Sequence, residues 1–368
     1  MNKPKISVLI PMYNRKHYIE NCINSVLNQT FQDYEIIIRD DGSKDGSADF
    51  VAERYSAEIS SGKIRLERNK KNIGEWETDN RLIRDALGKY IAILHSDDMY
   101  LPHALAHLYE VAEKHSADVV HSSFFLNLLP NLKAYLSCQD KNPVQTVTLM
   151  SEEPSFRFSE WTDIGTFFDA QYNLFNRKFL LENDLFFKYS NRFFALWWIM
   201  LAKVFVKTPV VCYVYRNAPD SKSNTKHDSA DYLENCISSF IKMSRDMDEC
   251  FSKIDFFKDN VERQYIAKAC LFQSLDAFQI LRLGLYKDGV TPEFQRTVAS
   301  AFKKYFGDDY FYPAFLFHLA HTMPYGKKVD KLTPPHCQKT MTFEIYFSRN
   351  RFLKKQALSK REMNRRAA

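Results

Sequence analysis

Between residues 5 and 125 the chain alternates short, wholly apolar runs with longer stretches whose apolar residues recur at helical spacing. KISVLIP (5–11) is apolar on both faces, which predicts a strand buried from two sides. After it, Ile19, Cys22, Ile23, Val26 and Leu27 fall on one helical face. YEIIIRD (34–40) is a second strand, and a helix follows with Ala48, Val51, Ala52, Tyr55 and Ile59 inward. IRLERN, residues 75–87 and YIAIL continue as strand, helix and strand. LPHALAHLYEVAEKH (101–115) reads as a helix opened by Pro102, since a first turn does not need the missing N–H. ADVVHSSFF (117–125) closes the series as one more strand. Repeated βα units of this kind predict a doubly wound, mainly parallel α/β sheet with right-handed crossovers.

From about residue 122 the rhythm changes. Residues 130–170 are irregular, NLFNRKFLLENDLFF and the aromatic FFALWWIMLAKVF follow, and VVCYVYR is strand-like. YRNAPDSKSNTKHD (215–228) is a polar loop, and the remainder carries helical periodicity up to a basic tail. The organisation expected is a ligand-binding half over 1–121, a second half with a loop over 122–228, and a helical C-terminal extension over 229–368.

At 368 residues and 45% hydrophobic content the chain can bury sizeable cores. The net charge of +6 suits an anionic small molecule or a membrane surface and is too diffuse to argue for nucleic acid. Seven cysteines without a CxxC pair suggest reduced thiols in a cytoplasmic protein. The first strand begins too early for a signal peptide, and no apolar run approaches the ~20 residues of a spanning helix. A cytoplasmic protein, or one peripheral to the inner membrane face, is therefore expected.

Sheets of this class bind ligands at the carboxyl ends of their strands. Three predicted strands end there in polar clusters: PMYNR, DDGSKDGS and HSDD. The last sets Asp97 beside Asp98, and adjacent carboxylates repel unless a cation or donor-rich ligand relieves them. Neither GxGxxG nor GxxxxGK[ST] occurs, so the dinucleotide and P-loop readings lack their glycine loop.

The stretches ISVLIPMYNR, SVLNQTFQDYEIIIRDDGSKDGS, NIGEWETDN, ALGKYIAILHSDDMYLP and, more weakly, NLFNRKFL resemble family 2 glycosyltransferases of the GT-A fold, of the bacterial cell-surface polysaccharide type. The combination of PxYNR, DDGSxD and xSDD in this order is specific; any one alone is not. The similarity covers about the first third closely and residues 170–225 loosely.

The resemblance implies an inverting enzyme that moves a sugar from a nucleotide diphosphate donor, UDP-linked by expectation, to a hydroxyl of a glycan or lipid-linked glycan. Pro11 and Tyr13 would line the base pocket, and Asp40 or Asp41 would accept a pyrimidine N–H, one of the two only capping its turn. Arg15 and Asn80 complete the donor set. Asp98 is implied as the ligand of Mn²⁺ or Mg²⁺, with Asp97 on the ribose or the metal. His227, with Arg216, Lys222 and Lys226, lies on the loop that would fold over the donor, where it could complete the metal shell.

Three positions depart from the family pattern. His95 stands where an acid is common, and Asp79 where an arginine is common. Arg15, Lys44, Arg81 or Arg84 would then balance the donor's charge. Phe194 stands where the family places the general base that takes the acceptor's proton. Asp163 becomes the substitute, with Asp169 as a second option. Phe193, Phe194, Trp197 and Trp198 read as core, with a sugar platform or lipid-facing groove as the alternative. The C-terminal helices are read as structural, with self-association or contact with the membrane as other options. Two rival functions stand beside this one: a nucleotide-sugar-binding protein that has lost catalysis, and a nucleotidyltransferase. The second wants a glycine- and lysine-rich loop that PMYNRKHYIE lacks.

Overall fold

The computed structural model describes residues 3–123, 125–128, 147–150, 152–162, 169–216, 242–243, 246–260, 263–264, 267 and 271. The chain divides into two compact units, Met1–Thr225 and Lys226–Ala368.

The first unit opens as the periodicity predicts, with β1 (Ile6–Met12), α1 (Ile19–Leu27), β2 (Tyr34–Asp40), α2 (Ser47–Arg54), α3 (Ser56–Ser60), β3 (Ile64–Arg68), α4 (Glu75–Asp85) and β4 (Tyr90–Ile93). Then come β5 (Met99–Tyr100), α5 (Ala104–His115), β6 (Val119–Ser122), β7 (Phe125–Leu128), β8 (Thr148–Leu149) and α6 (Pro154–Thr162). A 3₁₀ turn (Ala170–Tyr172) leads into β9 (Asn173–Asn176), α7 (Arg177–Glu182), α8 (Asn191–Leu201), β10 (Phe205–Thr208) and β11 (Tyr213–Arg216). Pro102 lies in the turn before α5 rather than inside it.

Among the described residues the main sheet runs β3-β2-β1-β4-β9-β6-β10-β8, and β5-β11-β7 form a smaller one. β3, β2, β1 and β4 are parallel, as are β6 and β10. The expectation of a mainly parallel sheet holds, with β9 inside the sheet and β8 at its edge as the antiparallel strands. β9 runs antiparallel between β4 and β6, because its chain enters from the carboxyl edge and must travel back. ADVVHSSFF is a second departure. It is two strands, β6 in the main sheet and β7 in the small one, parted at Ser123, whose N–H donates to the Thr208 carbonyl.

The core lies on both faces of the main sheet. β1 and β2 bury every apolar side chain except Pro11, and α1 covers them with Ile19, Cys22, Ile23 and Val26. Phe193, Phe194 and Trp198 of α8 are buried, with Trp198 edge-on to Phe175 and Phe205 at 5.6 and 5.4 Å. Most of the aromatic run is therefore core, as its composition suggested. In the second unit residues 246–253 are helical and bury Met247, Cys250 and Phe251, the last against Phe257 at 4.9 Å. No described helix is long and apolar enough to cross a membrane.

Candidate active site

The tips of β1, β2 and β4, neighbours in the sheet, form one edge. The first two are sewn together by reciprocal hydrogen bonds. The N–H of Asn14 donates to Ser43 Oγ (2.8 Å), that of Arg15 to Ser47 Oγ (2.9 Å) and that of Lys16 to Asp45 Oδ2 (3.0 Å). In return the Lys44 N–H donates to Asn14 Oδ1 (2.8 Å). Asn14 reaches this geometry with φ 52°, a left-handed conformation that asparagine tolerates better than most residues. Tyr13 projects from this loop with 41% of its surface exposed, and Pro11 is half-buried beneath it.

Asp40 and Asp41 are both buried and do different things. The Asp40 carboxylate accepts the Ser43 N–H at 3.2 Å, capping its own turn. Asp41 reaches across to the loop before α4. Its Oδ1 accepts from Asn69 Nδ2 and the Ile73 N–H, both at 2.9 Å, and its Oδ2 from the Gly74 N–H at 3.0 Å. Gly42 permits this approach: at φ +74° its absent Cβ would stand 2.9 Å from the backbone of Lys71 and Asn72.

At the tip of β4 the neighbouring acids separate. Asp97 is half-buried and pairs with Arg15 Nε at 3.4 Å. Asp98 is buried and accepts from the Tyr213 hydroxyl at 2.5 Å and from the Arg216 N–H at 2.7 Å. Burial, reinforced by the charge of Asp97, pushes the Asp98 carboxyl up to about 7 despite these hydrogen bonds. Among the described residues no three His, Cys, Asp or Glu side chains gather closely enough to hold a metal by themselves.

The remaining predicted positions are also placed. Asn80 spends its carboxamide on the backbone of Phe187, donating at 3.0 Å and accepting at 2.7 Å. Phe194 stacks on Phe187 at 4.2 Å between ring centroids, and Phe187 in turn on Trp76 at 5.6 Å. The slot of the expected base is thus filled by a packed aromatic column. Asp79 is buried, with Oδ1 unpartnered, and burial lifts its carboxyl well above the ordinary range, with Glu75 adding to the effect. Arg81 pairs with Glu77, Arg84 lies over the Phe186 ring at 4.4 Å, and Arg15 is the cation that meets the acidic tip. Asp163, Lys222, Lys226 and His227 lie outside the described residues.

The chain has counterparts among known proteins. Residues 7–183 match the family model described as glycosyl transferase family 2. They form a family 2 glycosyltransferase domain. Curated relatives of this glycosyltransferase domain include the glycosyltransferase GlyG of Streptococcus pneumoniae, 32% identical over 120 residues, or 33% of this chain and 39% of that protein. Another is an uncharacterized glycosyltransferase, EpsJ, of Bacillus subtilis, 36% identical over 122 residues, or 33% of this chain and 34% of that one. A third is the cholesterol galactosyltransferase of Borreliella burgdorferi, 34% identical over 129 residues, 35% of each chain. The aligned part is thus well under two thirds of each relative's length. Among solved structures, residues 1–349 of S. aureus TarS, in complex with UDP-GlcNAc, superpose with TM-score 0.56 at 15% identity, covering 95% of this chain and 88% of that one. This likeness is one of fold, and the fold is GT-A.

Sequence reasoning missed several partners around the candidate site. Asn69, Tyr213 and the Arg216 amide hold the two carboxylates Asp41 and Asp98. Tyr213 stands on a strand-like segment but carries no local sign that it pairs with an acid 115 positions earlier.

Proposed function

We propose that this glycosyltransferase transfers a sugar, with inversion, from a nucleotide diphosphate donor, UDP-linked by preference, to a hydroxyl of a glycan or lipid-linked glycan. The observation that carries the reading is the meeting of Arg15 with Asp97 beside Asp98, on the edge that also holds Tyr13, Asp40 and Asp41. Tyr13 offers an exposed ring for a base, and the Asp40–Asp41 pair supplies carboxylate oxygen for a pyrimidine N–H. Arg15 is placed to balance diphosphate charge.

The donor set fits a hard divalent cation, Mn²⁺ or Mg²⁺. Such ions take oxygen ligands and often only one or two protein carboxylates, the rest coming from phosphates and water. Asp97 is open enough to offer an oxygen, and Asp98 stands beside it on the same strand tip. Asp97 and Asp98 would hold the ion. When bound it would stabilise the charge that accumulates on the departing diphosphate.

A location in the cytoplasm or against the inner membrane face, and a place in cell-surface polysaccharide synthesis, belong to the same reading. The test is a thermal-shift series with UDP and UDP-sugars, with and without Mn²⁺, followed by an assay of UDP release. Stabilisation by UDP that Mn²⁺ deepens is expected; indifference to every nucleotide would overturn the proposal. The burial of Phe194 favours a second reading, a nucleotide-sugar-binding protein without turnover. It would show the shift and release no UDP.

A further inference from the structure

An inverting transfer needs an acceptor for the hydroxyl proton, and residue 194, a phenylalanine locked against Phe187 and Phe175, cannot be one. The neighbourhood of that slot nevertheless contains a carboxylate. β4 and β9 run antiparallel with Ala92 opposite Leu174. The chain leaving β4 toward His95 and Asp97 therefore shares a sheet edge with the chain entering β9 through Asp169. The turn after Asp169 lies against both halves of the site. Tyr172 meets Tyr213 edge-on at 5.1 Å, and Tyr213 is the residue that donates to Asp98. On the other side the turn packs on α8, the helix that carries Phe194.

Besides its own turn, three groups act on the Asp169 carboxylate through their charge: His95 just beyond β4, Arg192 in the first turn of α8 and Glu75 at the start of α4. Gln171 hydrogen-bonds it from within the turn. Burial raises the carboxyl above its ordinary value, while His95, Arg192 and Gln171 favour its charged form against Glu75. A desolvated carboxylate whose proton affinity stands above the ordinary value is suited to receiving a proton. Gln171 supplies an independent sign that a ligand belongs here. Its side chain is 5% exposed and its Oε1 has no hydrogen-bond partner. A buried amide oxygen left unmatched is costly, and a sugar hydroxyl would satisfy it.

We propose that Asp169 is the general base of the transfer, taking the place that Phe194 vacates, with Gln171 orienting the incoming hydroxyl. The assignment rests on the glycosyltransferase reading above. In the step, the acceptor oxygen forms its bond to the anomeric carbon as its proton passes to an Asp169 carboxylate oxygen. The bond from the anomeric carbon to the diphosphate oxygen breaks, and its electron pair leaves with UDP. His95, Arg192 and Glu75 are positioning residues that set the charge of the base.

The test uses the full chain and water as the acceptor. UDP release from UDP-glucose, UDP-galactose and UDP-N-acetylglucosamine is followed in wild type, Asp169→Asn and Asp169→Glu, beside UDP binding by thermal shift. Asp169→Asn should slow release about 10²–10⁴-fold with UDP binding unchanged. Asp169→Glu, which keeps a carboxylate and guards against a folding failure in the amide variant, should retain part of the rate. The acid limb of the wild-type pH–rate profile should disappear in Asp169→Asn. Wild-type release rates in a folded Asp169→Asn protein overturn the assignment, as does a wild-type protein that binds UDP yet releases none from any donor. A wild-type protein that binds no UDP overturns the glycosyltransferase reading itself.

Discussion

Tyr213 donates its hydroxyl to Asp98 at 2.5 Å and so ties the tip of β4 to β11 of the small sheet. The second Asp98 oxygen takes the Arg216 N–H, so one carboxylate fixes both ends of that strand. Tyr213→Phe removes a hydrogen bond to an ionisable group within the core and should cost about 1.5–3 kcal/mol of stability. Urea denaturation of the two proteins measures the difference. No change in midpoint would mean that the contact is idle.

Asp41 organises the loop before α4 through three donors. Asp41→Ala strips them of their acceptor and should destabilise by about 1–3 kcal/mol. It should also weaken UDP binding, because the pocket wall moves with the loop. Asp41→Asn keeps one acceptor oxygen and should fall between. The two variants are compared by melting temperature and UDP thermal shift.

The buried Asp79 predicts a stability gain. Its folded pKa stands well above the ordinary 3.8, chiefly through burial. Above pH 4 the unfolded chain has released a proton that the folded chain still holds, so rising pH favours unfolding through this group. Asp79→Asn removes that term. Its urea midpoint should exceed wild type at pH 8, and the gap should close toward pH 4.

His121 works in the opposite sense. It is buried, bonded to Asn173 Oδ1 at 2.9 Å, and desolvation lowers its pKa from 6.5 to about 3. Between those values the unfolded chain binds a proton that the folded chain refuses, so stability falls as pH drops, by at most about 1.4 kcal/mol per unit. His121→Gln should flatten the stability profile between pH 6 and pH 4, whatever its effect at pH 7.

Asp97 is the more open of the two tip acids. If it binds the cation with the donor, Asp97→Ala should abolish the Mn²⁺-dependent part of UDP stabilisation. For a ligand at a hundred times its Kd that part can reach about 2.7 kcal/mol. A retained Mn²⁺ effect would remove Asp97 from the metal site.

Much of the fold was legible because a strand buried on two faces has no polar position to hide. ISVLI, EIII and YIAI announce β1, β2 and β4, and their tips locate the site. The antiparallel β9 was not legible, since NLFN reads alike in either direction. Nor was the break in ADVVHSSFF, because an apolar run does not say which sheet it joins. Within the site, the residue types at the strand tips were readable and their loyalties were not. Asp41 and Asp98 are committed to donors at distant positions, and Asn80 grips Phe187, 107 residues away. Such closures are made by folding, and nothing local records them.

The stitching of the first two strand tips decides how an anion can be met there. Three successive amides, those of residues 14, 15 and 16, point at Ser43, Ser47 and Asp45 and are consumed. A loop whose main chain is spent this way cannot wrap a phosphate with its own N–H groups. Negative charge arriving at this loop is left to side-chain cations such as Arg15 or to an ion brought from solution, which makes occupancy of the edge sensitive to ionic conditions.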